Sequence, residues 1–242
     1  MEHKQKTALI TGASRGIGRA CAERFAQAGY DLYLTCLHSE DKLIALKDTL
    51  KQRYRITCRT AVCNAGSYDE VISLFSQIDT LDVLVNNAGI SHIGLIQDMS
   101  VSQWDRVMAT NVSSCFYTIK CAIPLMLAKG GGRILNVSSV WGNTGASMEA
   151  AYSASKGAVN ALTKALAKEL APSNIQVNAA AFGIIDTDMN KCIDAEALEQ
   201  VIDEIPAGRM GTCREAAELL LQLAEAPAYL TGQILTMDGG WT

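Results

Sequence analysis

The sequence predicts a single α/β domain, a doubly wound parallel sheet of about seven strands with helices on both faces. Short apolar runs alternate with amphipathic helical patterns along the whole chain, and parallel strands need such helical crossovers to cover both faces of their sheet. A glycine-rich turn follows the first of these runs directly. No linker, repeat or low-complexity segment divides the 242 residues, so we assign one domain to 1–242.

Each apolar run supplies one strand, in chain order. The runs that predict strands are 7–11, 31–36, 56–62, 82–86, 133–139, 175–181 and 233–238. The clearest helical patterns between them lie at about 17–28, 41–53, 68–77 and 151–170. The longest interval without a strand, 183–232, is where we expect the chain to be variable and close to a substrate.

Composition excludes several classes of function. The net charge of −4 and the pI near 5.4, with basic residues scattered along the chain, argue against a nucleic-acid partner. No apolar run reaches the roughly 20 residues of a membrane helix, and the start MEHKQKTALIT lacks a signal pattern, so we expect a cytoplasmic protein without membrane contact. The eight cysteines form no C-x-x-C pair or zinc-type cluster, which predicts reduced, buried thiols and no metal site.

The segment TGASRGIG (11–18) has the outline of a dinucleotide site. Gly12, Gly16 and Gly18 let the backbone turn sharply and approach a ligand, and the helix that opens here offers free N–H groups to a phosphate. Ser14 and Ile17 lie in the same turn. A plain tight turn is the alternative, because the spacing is G-x-x-x-G-x-G rather than the G-x-G-x-x-G of many dinucleotide enzymes.

Five motifs carry a resemblance to a known family. The glycine turn is followed by NNAG (86–89), SSV (138–140), YSASK (152–156) and the closing LTGQILTMDGG (230–240). In this order and at these distances they resemble the classical short-chain dehydrogenase/reductase family over essentially the whole chain. GASRGIG, PAGRMG (206–211) and the ending look most like bacterial 3-oxoacyl-[acyl-carrier-protein] reductases. The resemblance implies a Rossmann-type fold and an NAD(P)-dependent oxidoreductase.

The second strand bears on the choice of nicotinamide cofactor. In NAD-selective folds this strand generally ends in an Asp or Glu that binds the ribose 2′-OH, whereas here it ends in Thr35-Cys36-Leu37-His38. Arg15, in the glycine turn, has the guanidinium that suits a 2′-phosphate, although an Arg on a turn also suits solvent. We therefore predict NADP (NADPH) as the cofactor, with NAD as the alternative.

The remaining cofactor contacts follow from the resemblance. Asn64-Ala65 stands after the third strand, where the family usually has Asp-Val near the adenine. NNAG ends the fourth strand, and Ile185 and Thr187 match residues at the nicotinamide carboxamide and the phosphates. The predicted contacts are Gly12, Ser14, Arg15, Gly16, Ile17, Gly18, Asn64, Ala65, Asn86, Ala88, Gly89, Tyr152, Lys156, Ile185 and Thr187.

Tyr152 and Lys156 predict where a proton is delivered. Reducing a carbonyl places negative charge on its oxygen, and a phenol with a pKa of about 10 donates a proton poorly near neutrality unless a cation stabilises the phenolate. Residues i and i+4 share a helix face, so Lys156 is expected to lie beside Tyr152 and lower its pKa. Among the seven tyrosines only Tyr152 has a lysine four residues later, although one such pair can also arise by chance.

Two further residues complete the predicted catalytic set. Ser139 ends the fifth strand thirteen residues before Tyr152, where the family's serine binds the substrate oxygen. Strand alternation points Ser138 to the opposite face, so only one of the two serves. Asn111 matches the family asparagine that helps to hold a proton-relaying water, and it is also placed to kink a helix. By resemblance, Tyr152 is the general acid for pro-S hydride transfer from NADPH, and Lys156 also binds the nicotinamide ribose.

The chain departs from the family's pattern at three points. Phe182-Gly183 replaces the usual Pro-Gly after the sixth strand, which puts a bulky ring near the nicotinamide. Glu149, close to the substrate mouth, disfavours an anionic substrate. Lys129 is a candidate for the basic residues that meet an acidic acyl carrier protein beside the active site, but APSN (171–174) supplies none.

The resemblance also implies a lid and an assembly. The segment 183–212 looks like the family's substrate lid, acidic and helical, with hinges near Gly208 and Gly211. The 151–170 helix carries small residues at helical spacing, and family members commonly form homotetramers through such a helix. Packing within one chain explains the small residues equally well.

The sequence leaves three functions open. The first is an NADPH-dependent 3-oxoacyl reductase that acts on acyl carrier protein or coenzyme A thioesters, in fatty acid biosynthesis. The second is a catabolic alcohol, polyol or hydroxysteroid dehydrogenase that uses either cofactor. The third, a nucleotide-sensing protein without catalysis, is disfavoured because Ser139, Tyr152 and Lys156 are all present.

Overall fold

The computed structural model describes residues 5–192 and 194–242, in which strands alternate with helices. The strands are β1 (Thr7–Ile10), β2 (Asp31–Cys36), β3 (Cys58–Val62), β4 (Val83–Asn86), β5 (Gly132–Ser139), β6 (Ile175–Phe182) and β7 (Ile234–Met237). The helices are α1 (Gly16–Gln27), α2 (Glu40–Tyr54), α3 (Tyr68–Phe75), α4 (Val101–Met108), α5 (Ser114–Lys129), α6 (Trp141–Thr144), α7 (Ala150–Leu170), α8 (Ala195–Glu204) and α9 (Cys213–Glu225). Short 3₁₀ turns lie at Ile96–Asp98, Ala171–Ser173 and Asp188–Cys192, and Ala109–Ser113 is π-helical.

The strands form one parallel sheet in the order β3-β2-β1-β4-β5-β6-β7. The strand order reverses between β1 and β4, which pair with each other. Open α/β sheets bind ligands in the crevice at such a reversal, outside the carboxyl ends of the strands. The predicted fold is therefore confirmed, and each predicted strand lies within two residues of the observed one.

Two layers of helices bury the two faces of the sheet. Residues of α1, α2 and α9 form one core cluster with the sheet, and residues of α3, α5 and α7 form the other. Every position of β6 is buried, because this strand lies inside the sheet with helices on both faces. A strand in that position carries mostly apolar or small side chains in both directions, which explains why the predicted strands are nearly continuous apolar runs.

A ladder of buried polar side chains ties β4 and β5 to the second helix layer. Asn86 Nδ2 donates to Asn136 Oδ1 (2.9 Å), and Asn136 Nδ2 donates to Thr163 Oγ1 (2.9 Å). Thr118 Oγ1 donates to Asn86 Oδ1 (2.7 Å). Because each of these buried groups has a partner, the ladder fixes the strands relative to α5 and α7 without an unsatisfied donor or acceptor.

Two features of composition can be compared with the structure directly. Free thiols are found at the seven cysteines whose side chains the structure describes, and five of these are buried as expected: Cys21, Cys36, Cys58, Cys63 and Cys115. Across 5–192 and 194–242, no helix has both the length and the apolar character that crossing a membrane requires.

Candidate active site

The turn between β1 and α1 is shaped by its glycines. Gly12 and Gly16 have φ of +66° and +55°, the left-handed region that favours glycine. A Cβ on Gly18 would collide with the carbonyl oxygen of Gly12, and a Cβ on Gly12 would lie 3.0 Å from the Cα of Ala88. The turn is packed so closely on itself and on the end of β4 that larger residues do not fit at Gly12 or Gly18.

Thr11 and Asn87, which sequence reasoning missed, hold this turn in place. Asn87 Nδ2 donates to the carbonyl oxygens of Thr11 (2.8 Å) and Gly12 (3.1 Å). The backbone N–H groups of Asn87 and Ala88 both donate to Thr11 Oγ1, each at 3.0 Å. These bonds join the carboxyl ends of β1 and β4. Their signal in the sequence is a polar residue directly after each of two buried strands.

The turn fits the phosphates of a dinucleotide. α1 begins at Gly16, and its N-cap residue Arg15 makes no side-chain cap hydrogen bond, so the N–H groups of the first turn have no capping side chain. A helix N-terminus of this kind favours anions. Thr187 lies beside the turn, 3.5 Å from where a Cβ on Gly16 would be, and its contact with the phosphates stays a prediction.

Other predicted cofactor residues follow the ends of neighbouring strands. A Cβ on Gly89, after β4, would stand 3.3 Å from Asn111 Oδ1 and 3.6 Å from Lys156 Nζ, so the strand end and the catalytic residues meet there. Asn64, after β3, accepts at Oδ1 from the N–H of Gly66 (3.0 Å), which leaves its Nδ2 as a donor. The remaining predicted contacts are buried or partly buried near these strand ends: Ser14, Ile17, Ala65, Ala88 and Ile185.

Asn86 is a correction to the predicted cofactor set. Its amide is bonded to Asn136 and Thr118 in the buried ladder, and the residue is only 5% exposed. Alternation along β4 turns this side chain into the sheet interior instead of the crevice. Asn86 therefore supports the site through the sheet and does not reach a cofactor with its side chain.

Phe182 is a second correction. We expected its ring near the nicotinamide, but it is 3% exposed, inside the core cluster that also contains Ala180. Alternation along β6 points Phe182 and Ala180 to the same buried face. The turn is held without a proline, because the carbonyl oxygen of Phe182 accepts from the N–H of Val140 and the N–H of Gly183 donates to Met237, both at 3.0 Å.

The predicted catalytic lysine, tyrosine and serine converge at the carboxyl edge of the sheet. Lys156 is 5% exposed, its Nζ donates to the carbonyl oxygen of Val137 (2.8 Å), and it lies 5.5 Å from the ring centroid of Tyr152. The Ser139 hydroxyl lies close enough to that of Tyr152 to lower its pKa by hydrogen bonding. Ser138 Oγ donates instead to Asn160 Oδ1 (2.6 Å), which confirms that only one serine of the pair meets the tyrosine.

Asn111 joins this group from the π-helical segment between α4 and α5. Its Nδ2 donates to the carbonyl oxygen of Ile90 and to Ser155 Oγ, and its Oδ1 accepts from the N–H of Ile90, all at 2.9 Å. Ser155 Oγ in turn donates to the carbonyl oxygen of Tyr152 (2.7 Å). The π-helical turn is the expected distortion of the helix. The role of Asn111 in holding a water stays a prediction.

Burial sets the protonation of the tyrosine and the lysine. It raises the pKa of Tyr152 to about 12, while the hydrogen bond with Ser139 lowers that pKa and the charge of Glu149 raises it further. Burial also lowers the pKa of Lys156. Loss of solvent therefore keeps the net pKa of Tyr152 above that of a free phenol, and the expectation that Lys156 lowers this pKa stays a prediction. Tyr152 keeps its proton at neutral pH.

Glu149 and two tryptophans form one wall beside Tyr152. Burial raises the pKa of Glu149, against a hydrogen bond with the Trp141 side chain, which lowers it. The ring of Trp141 meets that of Trp241 edge-on, with 4.9 Å between centroids, and Trp241 Nε1 donates to Glu204 Oε2 (3.2 Å) at the end of α8. Trp241 lies a hundred residues from Trp141 in the sequence. Only the fold reveals that the C-terminal segment reaches the mouth of the site.

The predicted lid, 183–212, carries α8 and is tied down near both of its ends; residue 193 lies outside the described residues. The N–H of Gly211 donates to the carbonyl oxygen of Ile184 (3.0 Å), and the carbonyl oxygen of Gly211 accepts from the N–H of Asp186 (2.9 Å). A Cβ on Gly211 would lie 2.5 Å from Ile185 Cδ1. The Ile185 side chain would have to move to admit this Cβ, and of the two predicted hinges only Gly208, with φ of +66°, has the left-handed conformation.

Lys129 is a third correction. It ends α5 at the amino-terminal edge of the sheet, where its ammonium pairs with Asp82, the residue before β4. The catalytic residues lie at the carboxyl edge. Within one chain, Lys129 therefore does not stand beside the active site.

Comparisons with known proteins point to one family. The family model described as short chain dehydrogenase matches residues 6–198. The uncharacterized oxidoreductase YmfI of Bacillus subtilis is 40% identical over 238 residues, which cover 98% of each chain. The 3-oxoacyl-[acyl-carrier-protein] reductase FabG of Staphylococcus aureus is 40% identical over 240 residues, 97% of each chain. The solved structure of YwfH, an NADPH-dependent reductase involved in bacilysin biosynthesis, matches with a TM-score of 0.93 at 26% identity, covering 99% of both chains.

Gly18→Ala should weaken NADPH binding, because the added Cβ would force the glycine turn away from Gly12. Overpacking of about 1–3 kcal/mol corresponds to a dissociation constant raised by about 5- to 150-fold. Nucleotide fluorescence titration measures this change. The control is Gly157→Ala, whose Cβ would meet only the carbonyl oxygen of Gly142 at 3.5 Å and which should bind NADPH normally. Equal affinity in the two variants would contradict this account of the turn.

Proposed function

The chain belongs to the short-chain dehydrogenase family, and we propose that it acts as an NADPH-dependent reductase of 3-oxoacyl thioesters. Family membership makes it an NAD(P)-dependent oxidoreductase. The observation that carries the proposed reaction is the group of Ser139, Tyr152 and Lys156 beside a glycine turn that fits a dinucleotide. The substrate class is supported by the FabG relative, which is named a 3-oxoacyl-[acyl-carrier-protein] reductase.

The protein's own residues account for the proton side of the reaction. When bound, the nicotinamide supplies the hydride that reaches the carbonyl carbon. Tyr152 donates its phenolic proton to the carbonyl oxygen, where negative charge develops, and Ser139 donates a hydrogen bond to the same oxygen. A secondary alcohol forms and Tyr152 is left as a phenolate. Lys156 stabilises that phenolate, and Asn111 positions Tyr152 through Ser155.

The preference for NADPH is part of the proposal. β2 ends without an Asp or Glu, and His38 after it is exposed. Arg15 is also exposed, at the start of α1, where its guanidinium is available to a 2′-phosphate. The name of YwfH, an NADPH-dependent reductase, supports the same choice.

Acyl carrier protein and a homotetrameric assembly complete the proposal. The carrier is suggested by the name of the FabG relative. A role in fatty acid biosynthesis in the cytoplasm is part of what we propose. Phe116 on α5 is 50% exposed although it is a large aromatic residue, and Ala154 is exposed on α7. Exposed apolar positions on these two helices support association between copies of the chain.

A second candidate function rests on Glu149. A half-buried carboxylate near Tyr152 repels an anionic substrate and suits one that carries hydroxyl donors. An alcohol, polyol or hydroxysteroid dehydrogenase of the same family acts on an uncharged substrate of this kind. The catalytic roles of Ser139, Tyr152 and Lys156 are the same in both candidates.

Tyr152→Phe should lower kcat for reduction by about 100- to 10,000-fold, because it removes the general acid, and it should leave NADPH affinity nearly unchanged. The assay follows oxidation of NADPH and of NADH with acetoacetyl-coenzyme A, a steroid ketone and a sugar side by side. Near-normal turnover in the variant would defeat the assignment of Tyr152. Activity of the wild type with NADH and a sugar alone would replace the first candidate with the second.

Glu149→Gln should move the alkaline limit of reduction to lower pH. The charge of Glu149 raises the pKa of Tyr152, so its removal lowers that pKa. Reduction requires protonated Tyr152, and the rate therefore falls as pH rises through that pKa. The measurement is the pH profile of kcat. Glu204→Gln is the control, since Glu204 bonds Trp241 on the far side of the wall, and its profile should match the wild type. Identical profiles for both variants would exclude this role of Glu149.

A further inference from the structure

A cavity opens at the amino-terminal edge of the sheet, on the side opposite the candidate active site. Its volume is about 250 Å³, and the polar or charged side chains that line it include Lys6, Tyr30, Asp82, Lys129 and Arg133. Lys6, Tyr30 and Asp82 directly precede β1, β2 and β4, and Arg133 lies near the start of β5. The cavity is therefore separate from the crevice at the carboxyl ends of the strands.

Cations outnumber anions around this cavity. Asp82 is already engaged, because it pairs with Lys129 and its Oδ2 accepts from the N–H of Thr7 (2.8 Å). Within 5–192 and 194–242, neither Lys6 nor Arg133 forms an ion pair with a carboxylate. The Lys6 ammonium lies 5.8 Å from the centroid of the Tyr30 ring.

The Arg133 guanidinium has more N–H donors than hydrogen bonds. It is half-buried, and its guanidinium makes two long hydrogen bonds, to the carbonyl oxygens of Gly132 (3.4 Å) and Ala226 (3.3 Å). A guanidinium has five N–H donors. The group is therefore partly removed from water without a counter-ion, an arrangement that an anion in the cavity would satisfy.

Tyr30 supplies an independent sign of a missing partner. The residue is 2% exposed and its hydroxyl has no hydrogen-bond partner, although buried polar groups are nearly always paired. Burial raises the pKa of Tyr30 to about 12; Glu225 raises this pKa further, and Arg133 lowers it. The hydroxyl therefore keeps its proton and can donate it in a hydrogen bond. The negative charge of Glu225, which is felt at the hydroxyl, would repel an anion. Glu225 does not pair with Arg133 or Lys6 among the described contacts.

We propose that the cavity lined by Lys6, Tyr30 and Arg133 binds the phosphate group of a small molecule. A guanidinium, an ammonium and a phenolic hydroxyl are all hydrogen-bond donors, and a phosphate offers several acceptor oxygens with negative charge. A cationic or apolar ligand would leave Arg133 unpaired and the Tyr30 hydroxyl without a partner. The volume accommodates a phosphate with a small organic remainder.

The test uses the full chain saturated with NADP⁺, so that the glycine turn is occupied. Isothermal titration calorimetry with inorganic phosphate, glycerol 3-phosphate and citrate is run at constant ionic strength. We expect saturable binding of both phosphate compounds and weaker binding of citrate. Thermal unfolding followed with the same ligands should show a matching rise in Tm, because a ligand that binds the folded state stabilises it.

Variants assign the binding to this cavity. Lys6→Gln and Arg133→Gln should each weaken phosphate binding by about tenfold, the loss of one charge-assisted hydrogen bond, and Tyr30→Phe should weaken it by a few-fold. Lys42→Gln, an exposed lysine on α2, is the matched control and should bind like the wild type. Lys6 is itself exposed, so its replacement tests the cavity even if Arg133→Gln fails to fold.

Several results would overturn the proposal. Absence of saturable phosphate binding in the NADP⁺-saturated protein would show that the cavity does not bind phosphate. Any phosphate binding to the protein without NADP⁺ would then be assigned to the glycine turn. Equal affinity for phosphate in the wild type and in Lys6→Gln would show that phosphate binds outside this cavity. Tighter binding of citrate than of either phosphate compound would show that the cavity recognises a carboxylate and not a phosphate.

Discussion

Burial of the Lys156 ammonium is the constraint on which the rest of the active site depends. A charged amine in the interior needs a hydrogen-bond partner, and Lys156 finds it in the carbonyl oxygen of Val137 on β5. That bond ties α7 to β5. The close packing of α7 leaves no room for a side chain at Gly142, where a Cβ would lie 2.8 Å from the backbone carbonyl carbon of Lys156. Gly89 is less restricted, because a Cβ there would lie 3.6 Å from Lys156 Nζ, an ordinary contact distance.

The same loss of solvent sets the chemistry of the neighbouring tyrosine. Burial favours the neutral forms of both groups, raising the pKa of Tyr152 to about 12 and lowering that of Lys156. A tyrosine that keeps its proton is suited to protonating an oxygen on which charge develops. Ser139 acts in the opposite direction, since its hydrogen bond lowers the pKa of Tyr152. The fold therefore prepares a proton donor, and the acidity of that donor depends on its hydrogen bonds and neighbouring charges.

Local periodicity made most of the fold predictable, and tertiary burial accounts for the rest. Strands buried on both faces appear as apolar runs, and alternation along β5 distinguishes Ser139 from Ser138. The same alternation explains why the side chains of Asn86 and Phe182 are buried and do not face the cofactor. A match to a family position does not show in which direction a side chain points. The pKa of Tyr152 depends on desolvation, which exists only in the folded chain. The residues that line the cavity at the amino-terminal edge precede different strands and lie far apart in the sequence. No sequence motif therefore predicts this cavity.

Titration of Tyr152 tests most directly whether burial, and not Lys156, controls its proton in the free protein. The measurement is the difference in tyrosinate absorbance between the wild type and Tyr152→Phe as pH rises, without cofactor. The reference is N-acetyltyrosinamide, a free phenol with a pKa of about 10. We predict that Tyr152 stays protonated at a pH at which this free phenol ionises, because the pKa of Tyr152 is about 12. Ionisation of Tyr152 at or below the pH at which the free phenol ionises would contradict this prediction and would show that Lys156 already stabilises the phenolate.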